Sequence, residues 1–109
     1  MATVLAISAD LLLGSKVEAM LAAAGHEVTL SASLPPSPPP GAELIVADLD
    51  AASPTELAGL GLPVLGYYSH VDAQTREAAR EAGIDLAVPR SRMARELPEL
   101  AARLLAERP

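Results

Sequence analysis

A few polar side chains, set at the ends of apolar runs, carry whatever chemistry this chain can perform. Asp48 closes the run Leu44-Ile45-Val46-Ala47-Asp48, Asp50 lies two residues on, and Asp10 follows an earlier run through Ser8 and Ala9. In folds that alternate strands and helices, side chains at the carboxyl ends of the strands line the functional crevice. Asp48 therefore stands where a phosphate acceptor or a metal ligand would stand. Mg²⁺ takes oxygen ligands in near-octahedral geometry, commonly one or two carboxylates with water. Asp10, Asp48 and Asp50 are candidate metal ligands if Asp10 turns inward. If Asp10 instead caps the helix that follows it, one carboxylate remains at the crevice, and the metal site is poor.

Other reactive residues give weaker signals. Ser69 and His70 follow Tyr67 and Tyr68, but adjacent residues on extended chain point to opposite sides and do not make a nucleophile–base pair. His26 is the only other histidine and falls at the opposite rim, so a histidine metal site lacks partners. Arg90, Arg92 and Arg95 form either an anion or partner patch or a solvated loop paired with Glu96 and Glu99. The solvated loop is preferred, because exposed pairs contribute little and need no purpose. No G-x-G-x-x-G, Walker loop or D-x-H-x-x-G motif occurs, which leaves nucleotide and corrinoid chemistry unsupported.

The elements that must position these residues follow from periodicity. Thr3–Ile7 is a short apolar run suited to a strand buried on both faces. Leu13, Val17, Met20, Leu21 and Ala24 recur at helical spacing, and Gly25 offers a stop. Residues 27–33 alternate Val28, Leu30 and Ala32 with polar neighbours, like a half-exposed edge strand. Leu44–Asp48 is the third strand, and Ser53-Pro54 opens a short helix through about Leu60. Val64–Tyr68 is the fourth strand. Asp72 is a candidate cap for a helix over 73–82, ended by Gly83, and Leu86–Val88 is a brief fifth strand. Pro98 within the last apolar stripe predicts a lead-in turn over 92–96 with the main helix starting near Leu97.

The link between the second and third strands holds Pro35, Pro36, Pro38, Pro39 and Pro40, so no helix forms there. At about 3.1 Å per residue, eight residues of polyproline span roughly 25 Å. The return diagonal over a five-residue strand and two strand spacings is about 20 Å, so a stiff bridge suffices. A PxxP ligand is the alternative. The result is an α/β domain over 1–109: a doubly wound, flavodoxin-like, five-stranded parallel sheet whose second helix is replaced by a proline-rich loop. The face left short by that helix is expected to expose apolar surface.

A net charge of −6 argues against sequence-independent nucleic-acid binding. Residues 1–75 hold eight acids against Lys16 alone; residues 76–109 hold seven arginines against six acids. Without cysteine there is no disulfide or thiolate zinc site, no apolar stretch approaches bilayer length, and no basic segment precedes the first apolar run. The expectation is an acidic cytoplasmic domain with no membrane or nucleic-acid partner.

Read together, Val4-Leu5-Ala6-Ile7-Ser8-Ala9-Asp10, Leu44–Asp48, Leu62-Pro63-Val64-Leu65 and Ala82-Gly83-Ile84-Asp85 resemble a response-regulator receiver domain. The resemblance covers nearly the whole chain and implies the strand order 2-1-3-4-5. It also implies Asp48 as phosphoacceptor, Tyr68 and Ser69 at the family's hydroxyl position, and Arg90 in place of its lysine. The acidic metal pair falls on Ser8 and Ala9, with Asp10 one place late. Phosphoryl transfer to a carboxylate needs its charge offset, and the forked guanidinium of Arg90 does not substitute freely for an ammonium. The resemblance thus implies a degenerate receiver, not an enzyme, without a required cofactor, acting on a protein partner such as a histidine kinase or an output protein. Its chain ends just after the last helix, which leads to the expectation of a stand-alone module pairing through residues 73–108. The alternatives are an active phosphoacceptor using Asp48 with Mg²⁺, and a small ligand-binding protein using Ser69, His70 and Arg90.

Overall fold

The computed structural model describes residues 2–69 and 73–107. Five strands, β1 Thr3–Ile7, β2 Glu27–Ser31, β3 Ala42–Asp48, β4 Val64–Tyr68 and β5 Leu86–Pro89, form one sheet in the order β2-β1-β3-β4-β5. Every neighbouring pair is parallel. Helices α1 Leu11–Ala23, α2 Pro54–Ala58, α3 Ala73–Ala82 and α4 Arg90–Ala106 cover it. This is the doubly wound, flavodoxin-like arrangement expected from the alternating runs.

α1 and α4 pack on one face, where Val4, Ala6, Leu44, Val46, Leu65 and Tyr67 meet Val17, Leu21, Leu97 and Leu100. On the other face Leu5, Ile7, Ile45, Ala47 and Tyr68 meet Leu57 and Ala79. Strand alternation makes the division: successive side chains along one strand go to opposite faces. α1 ends in a left-handed turn at Gly25, φ 94°, with His26 N–H donating to Leu21 O at 3.1 Å. The six-to-one bond closes the helix and sends the chain into β2.

No helix occupies residues 32–41, in agreement with the proline run. The exposed apolar face expected there does not occur: Leu5, Ile7 and Ile45 are buried. Two causes account for this. The run folds Leu34 against that cluster, with Pro35, Pro38 and Pro39 half-buried. In addition, the register of β2 on β1 turns Glu27, Thr29 and Ser31 to that face and keeps Val28 and Leu30 for the α1 side. Since Pro35, Pro38 and Pro39 are partly spent on the protein itself, the bridge reading is favoured over the PxxP ligand.

Among the described residues, the exposed large apolar side chains are instead Leu11 and Leu12, 78% and 86% exposed, on the first turn of α1. Several boundaries differ from expectation, among them β5, which runs one residue past Val88 to Pro89. β2 stops at Ser31, because Ala32 already bends away; β3 begins two residues earlier, at Ala42; and α2 stops at Ala58, two residues before Leu60. α4 runs unbroken from Arg90 through Pro98, without a separate lead-in turn. A proline in a helix interior costs about 3 kcal/mol. Met93 and Leu97 before it, and Leu100, Ala101 and Leu104 after it, are all buried, and each large apolar side chain returns about 1.5–3 kcal/mol. Packing on both sides outweighs the missing bond.

Candidate functional site

The crevice at the carboxyl ends of β1, β3, β4 and β5 gathers Ser8, Asp10, Asp48, Asp50, Tyr67, Ser69 and Arg90. Asp48 is the last residue of β3 and half-buried. Its loop is built around it. Asp50 N–H donates to Asp48 Oδ1 at 2.9 Å, and Ala51 N–H donates to Asp48 O at 2.9 Å. Leu49 folds back over β4 because residue 66 is glycine; a Cβ there would meet Leu49 Cδ2 at 2.8 Å. The same loop is tied to β4 by Leu49 N–H donating to Tyr67 O at 2.9 Å. Burial pushes the Asp48 carboxyl above the ordinary 3.8; the Asp50 amide pulls it down, the Asp50 carboxylate pushes it up, and Arg90 tempers it.

Asp10 is the N-cap of α1. Its Oδ1 accepts from Leu12 N–H at 3.0 Å and from Leu13 N–H at 3.2 Å. Its Oδ2 accepts from Arg90 Nη2 at 3.3 Å, across 80 residues of sequence. The Leu13 amide first, with the Leu12 amide and Arg90, holds its carboxyl below the usual value. Both oxygens are thus engaged. Asp50 is exposed, and its Oδ2 accepts from Ser69 Oγ at 3.3 Å.

The expected metal set is therefore not assembled. Among the described residues no group of three His, Cys, Asp or Glu could hold a metal ion. Asp10, Asp48 and Asp50 are each tied to a different hydrogen-bond donor. Direct pairing of Arg90 with Asp48 is also absent: the guanidinium donates to Asp10. The solvated reading of the nearby arginines holds for Arg92 and Arg95, both of which pair with Glu96. His70 and Asp72 lie outside the described residues.

Tyr68, expected at the crevice, is 4% exposed and packs in the cluster on the opposite face from Asp48. The tyrosine beside Asp48 is its neighbour. Asp48 pairs in register with Tyr67, and register partners on parallel strands project to the same face. Tyr67 is 1% exposed, and its hydroxyl is buried without a hydrogen-bond partner. Burial pushes its pKa above 10.0; the Ser8 hydroxyl lies close enough to pull slightly back. Ser8 Oγ is not in hydrogen-bond geometry with it and serves the Asp10 backbone instead, donating to Asp10 O at 3.1 Å and accepting Asp10 N–H at 3.2 Å. Period-two counting from Asp48 through the parallel register would have found Tyr67, but the register itself is not written in the sequence.

No family model matches this chain, and no curated protein sequence does. Solved structures do. The response regulator receiver domain protein (CheY-like) from Methanospirillum hungatei superposes with a TM-score of 0.86 at 17% identity, covering 98% of this chain and 95% of that one. The non-phosphorylated HemR receiver domain from Leptospira biflexa gives 0.81 at 21%, covering 100% and 98%. A putative pilus assembly protein (cpaE) from Burkholderia thailandensis gives 0.80 at 19%, covering 98% and 100%. The chain has a doubly wound α/β fold. More narrowly, it is the CheY-like receiver fold of response regulators.

Proposed function

We propose that this chain is a degenerate receiver module that signals through protein contacts and does not depend on phosphoryl transfer. The observation that carries the reading is the Asp10–Arg90 pair. The carboxylate nearest the family's metal position caps α1, and the only cation at Asp48's side of the crevice among the described residues donates to that cap. Charge arriving on Asp48 would meet neither a free carboxylate pair with its metal nor a free cation. Transfer to a carboxylate without such offset is unfavourable.

The partner is a protein, a histidine kinase or an output protein, and the module works without a cofactor in the cytoplasm. The fold also serves a protein described as a putative pilus assembly protein, so a partner outside phosphotransfer is compatible with it. Pairing of two copies through residues 73–108 would use a face on which several charges are already matched within the helices, Arg80 with Glu77, Arg92 with Glu96 and Arg103 with Glu107.

The second reading, an active phosphoacceptor, is favoured by one fact: Asp48 keeps the strand-tip position and is only half-buried. Incubation with acetyl phosphate and magnesium, read by intact mass, separates the two. No adduct is expected. A phosphoryl adduct on the native chain that disappears in Asp48→Asn would overturn the degenerate reading.

A further inference from the structure

The sheet has two open edges, and they differ. β5 is four residues long and ends on Pro89. β2 has no proline, lysine or bulge within Glu27–Ser31, the devices by which edge strands usually avoid pairing. Glu27 N–H donates to Ala2 O at 2.8 Å, and Ser31 O accepts from Ser8 N–H at 2.9 Å. Residues 27, 29 and 31 therefore turn their backbone groups to β1, and alternation turns those of Val28 and Leu30 outward, where no strand lies. A crossover helix about 10 Å across would overhang a strand row spaced about 4.8 Å apart, and none stands between Ser31 and Ala42.

We infer that β2 is a pairing edge for a second copy of this chain, joined antiparallel about a two-fold axis at Thr29. The strand is self-complementary in that register. Val28 and the partner's Leu30 exchange their outward hydrogen bonds, twice over by symmetry, and Thr29 meets the partner's Thr29 in the closer, non-bonded position. Val28 and Leu30 stay on the α1 side with the core they already touch. On the other side each Glu27 faces the partner's Ser31, so no carboxylate meets another. Hydrogen-bond parity excludes only registers centred between two residues, and a centre on Thr29, the middle of Glu27–Ser31, is the one that keeps all five residues of the strand paired. Centring on Glu27 would oppose two carboxylates in a chain of net charge −6, and centring on Ser31 would leave almost no overlap.

A five-residue strand pair is too small alone, since stable interfaces bury about 1,200 Å² or more. α1 supplies the rest. It lies over β2, held close at Gly14, whose absent Cβ would approach Leu30 Cδ1 at 3.1 Å. The solvent side of α1 carries Leu11, Leu12, Ser15 and Ala19, exposed and uncharged, with Lys16 as the one exposed charge among them. This pairing is independent of whether Asp48 accepts phosphate.

Thr29 is exposed, so substitutions there spare the monomer. Sedimentation equilibrium of the native chain is expected to show a concentration-dependent dimer. Thr29→Glu and Thr29→Lys each place like charges opposite one another and should weaken it about fivefold or more, while an equimolar mixture of the two should associate again. Thr29→Cys should cross-link on oxidation, because non-bonded antiparallel partners sit about 4.5 Å apart at Cα, within disulfide reach, and the chain has no other cysteine. A chain that stays monomeric at every concentration overturns the proposal. So does a dimer indifferent to Thr29→Glu but lost in Arg80→Ala or Arg103→Ala.

Discussion

On one side of the sheet, helices of 13 and 17 residues press Leu, Val and Met side chains onto β1, β3 and β4. On the other, α2 contributes five residues, α3 contributes ten, and a proline run replaces a helix. Yet both faces are closed. The heavily covered face is the one that carries Asp48 and Tyr67 to the crevice; the lightly covered face takes Tyr68. The difference teaches that the receiver fold survives the loss of a crossover helix when the uncovered strand is polar on that side.

Breaking the heavily covered face should cost most. Leu97→Ala, at a fully buried position of α4, is expected to lose about 2–5 kcal/mol in urea unfolding. Leu34→Ala, in the proline run and only partly buried, should lose less than about 1 kcal/mol. Equal losses would refute the asymmetry.

Removing the Tyr67 hydroxyl sharpens the comparison from within. An unpartnered buried hydroxyl carries an uncompensated desolvation penalty, so Tyr67→Phe should be neutral or stabilising by about 1 kcal/mol. Clear destabilisation would mean that the hydroxyl has a partner in solution. Because Tyr67 and Tyr68 are the only aromatics, tyrosine fluorescence of Tyr67→Phe and Tyr68→Phe reports each face separately.

Two carboxylates beside the same crevice should respond to pH with opposite sign. Asp10 has a depressed value; it contributes stability above the ordinary carboxylate range, and that contribution is lost as pH falls through the folded value. Asp48 has a raised value, so the folded state holds its proton more tightly. Stability falls as pH rises from 3.8 through the folded value, and the penalty is complete above both. Asp48→Asn should therefore stabilise at neutral pH and lose that advantage in acid, whereas Asp10→Ala should destabilise at neutral pH and cease to matter in acid. Thermal melts across the acid range would show the crossing.

The smallest effect belongs to Arg90→Gln. Its pair with Asp10 is exposed by 43% and 45%, and such pairs contribute about 0–1 kcal/mol. A large loss would show that the pair clamps the crevice more firmly than its exposure implies.

Much of the fold was legible beforehand. Apolar runs gave all five strands, Gly25 and Gly83 stopped their helices, and the proline cluster forbade one. Pro98 misled, because local backbone cost was visible while the buried stripe that outweighs it was not measurable from spacing alone. The crevice was legible in position and not in contacts. Asp48 stands at its strand tip as expected, and Asp10 caps α1, one of two readings left open. The partner of Arg90 and the choice between Tyr67 and Tyr68 were hidden, since one depends on residues 80 positions apart and the other on strand register.

What the chain's order of residues determined by itself is the succession of strands and helices, because periodicity and breakers act within a few positions. What only the tertiary structure decided is which charges meet. Parallel register puts Asp48 beside Tyr67, and docking of α4 against α1 brings Arg90 to Asp10. Contacts between distant segments arise from packing, and packing has no local code.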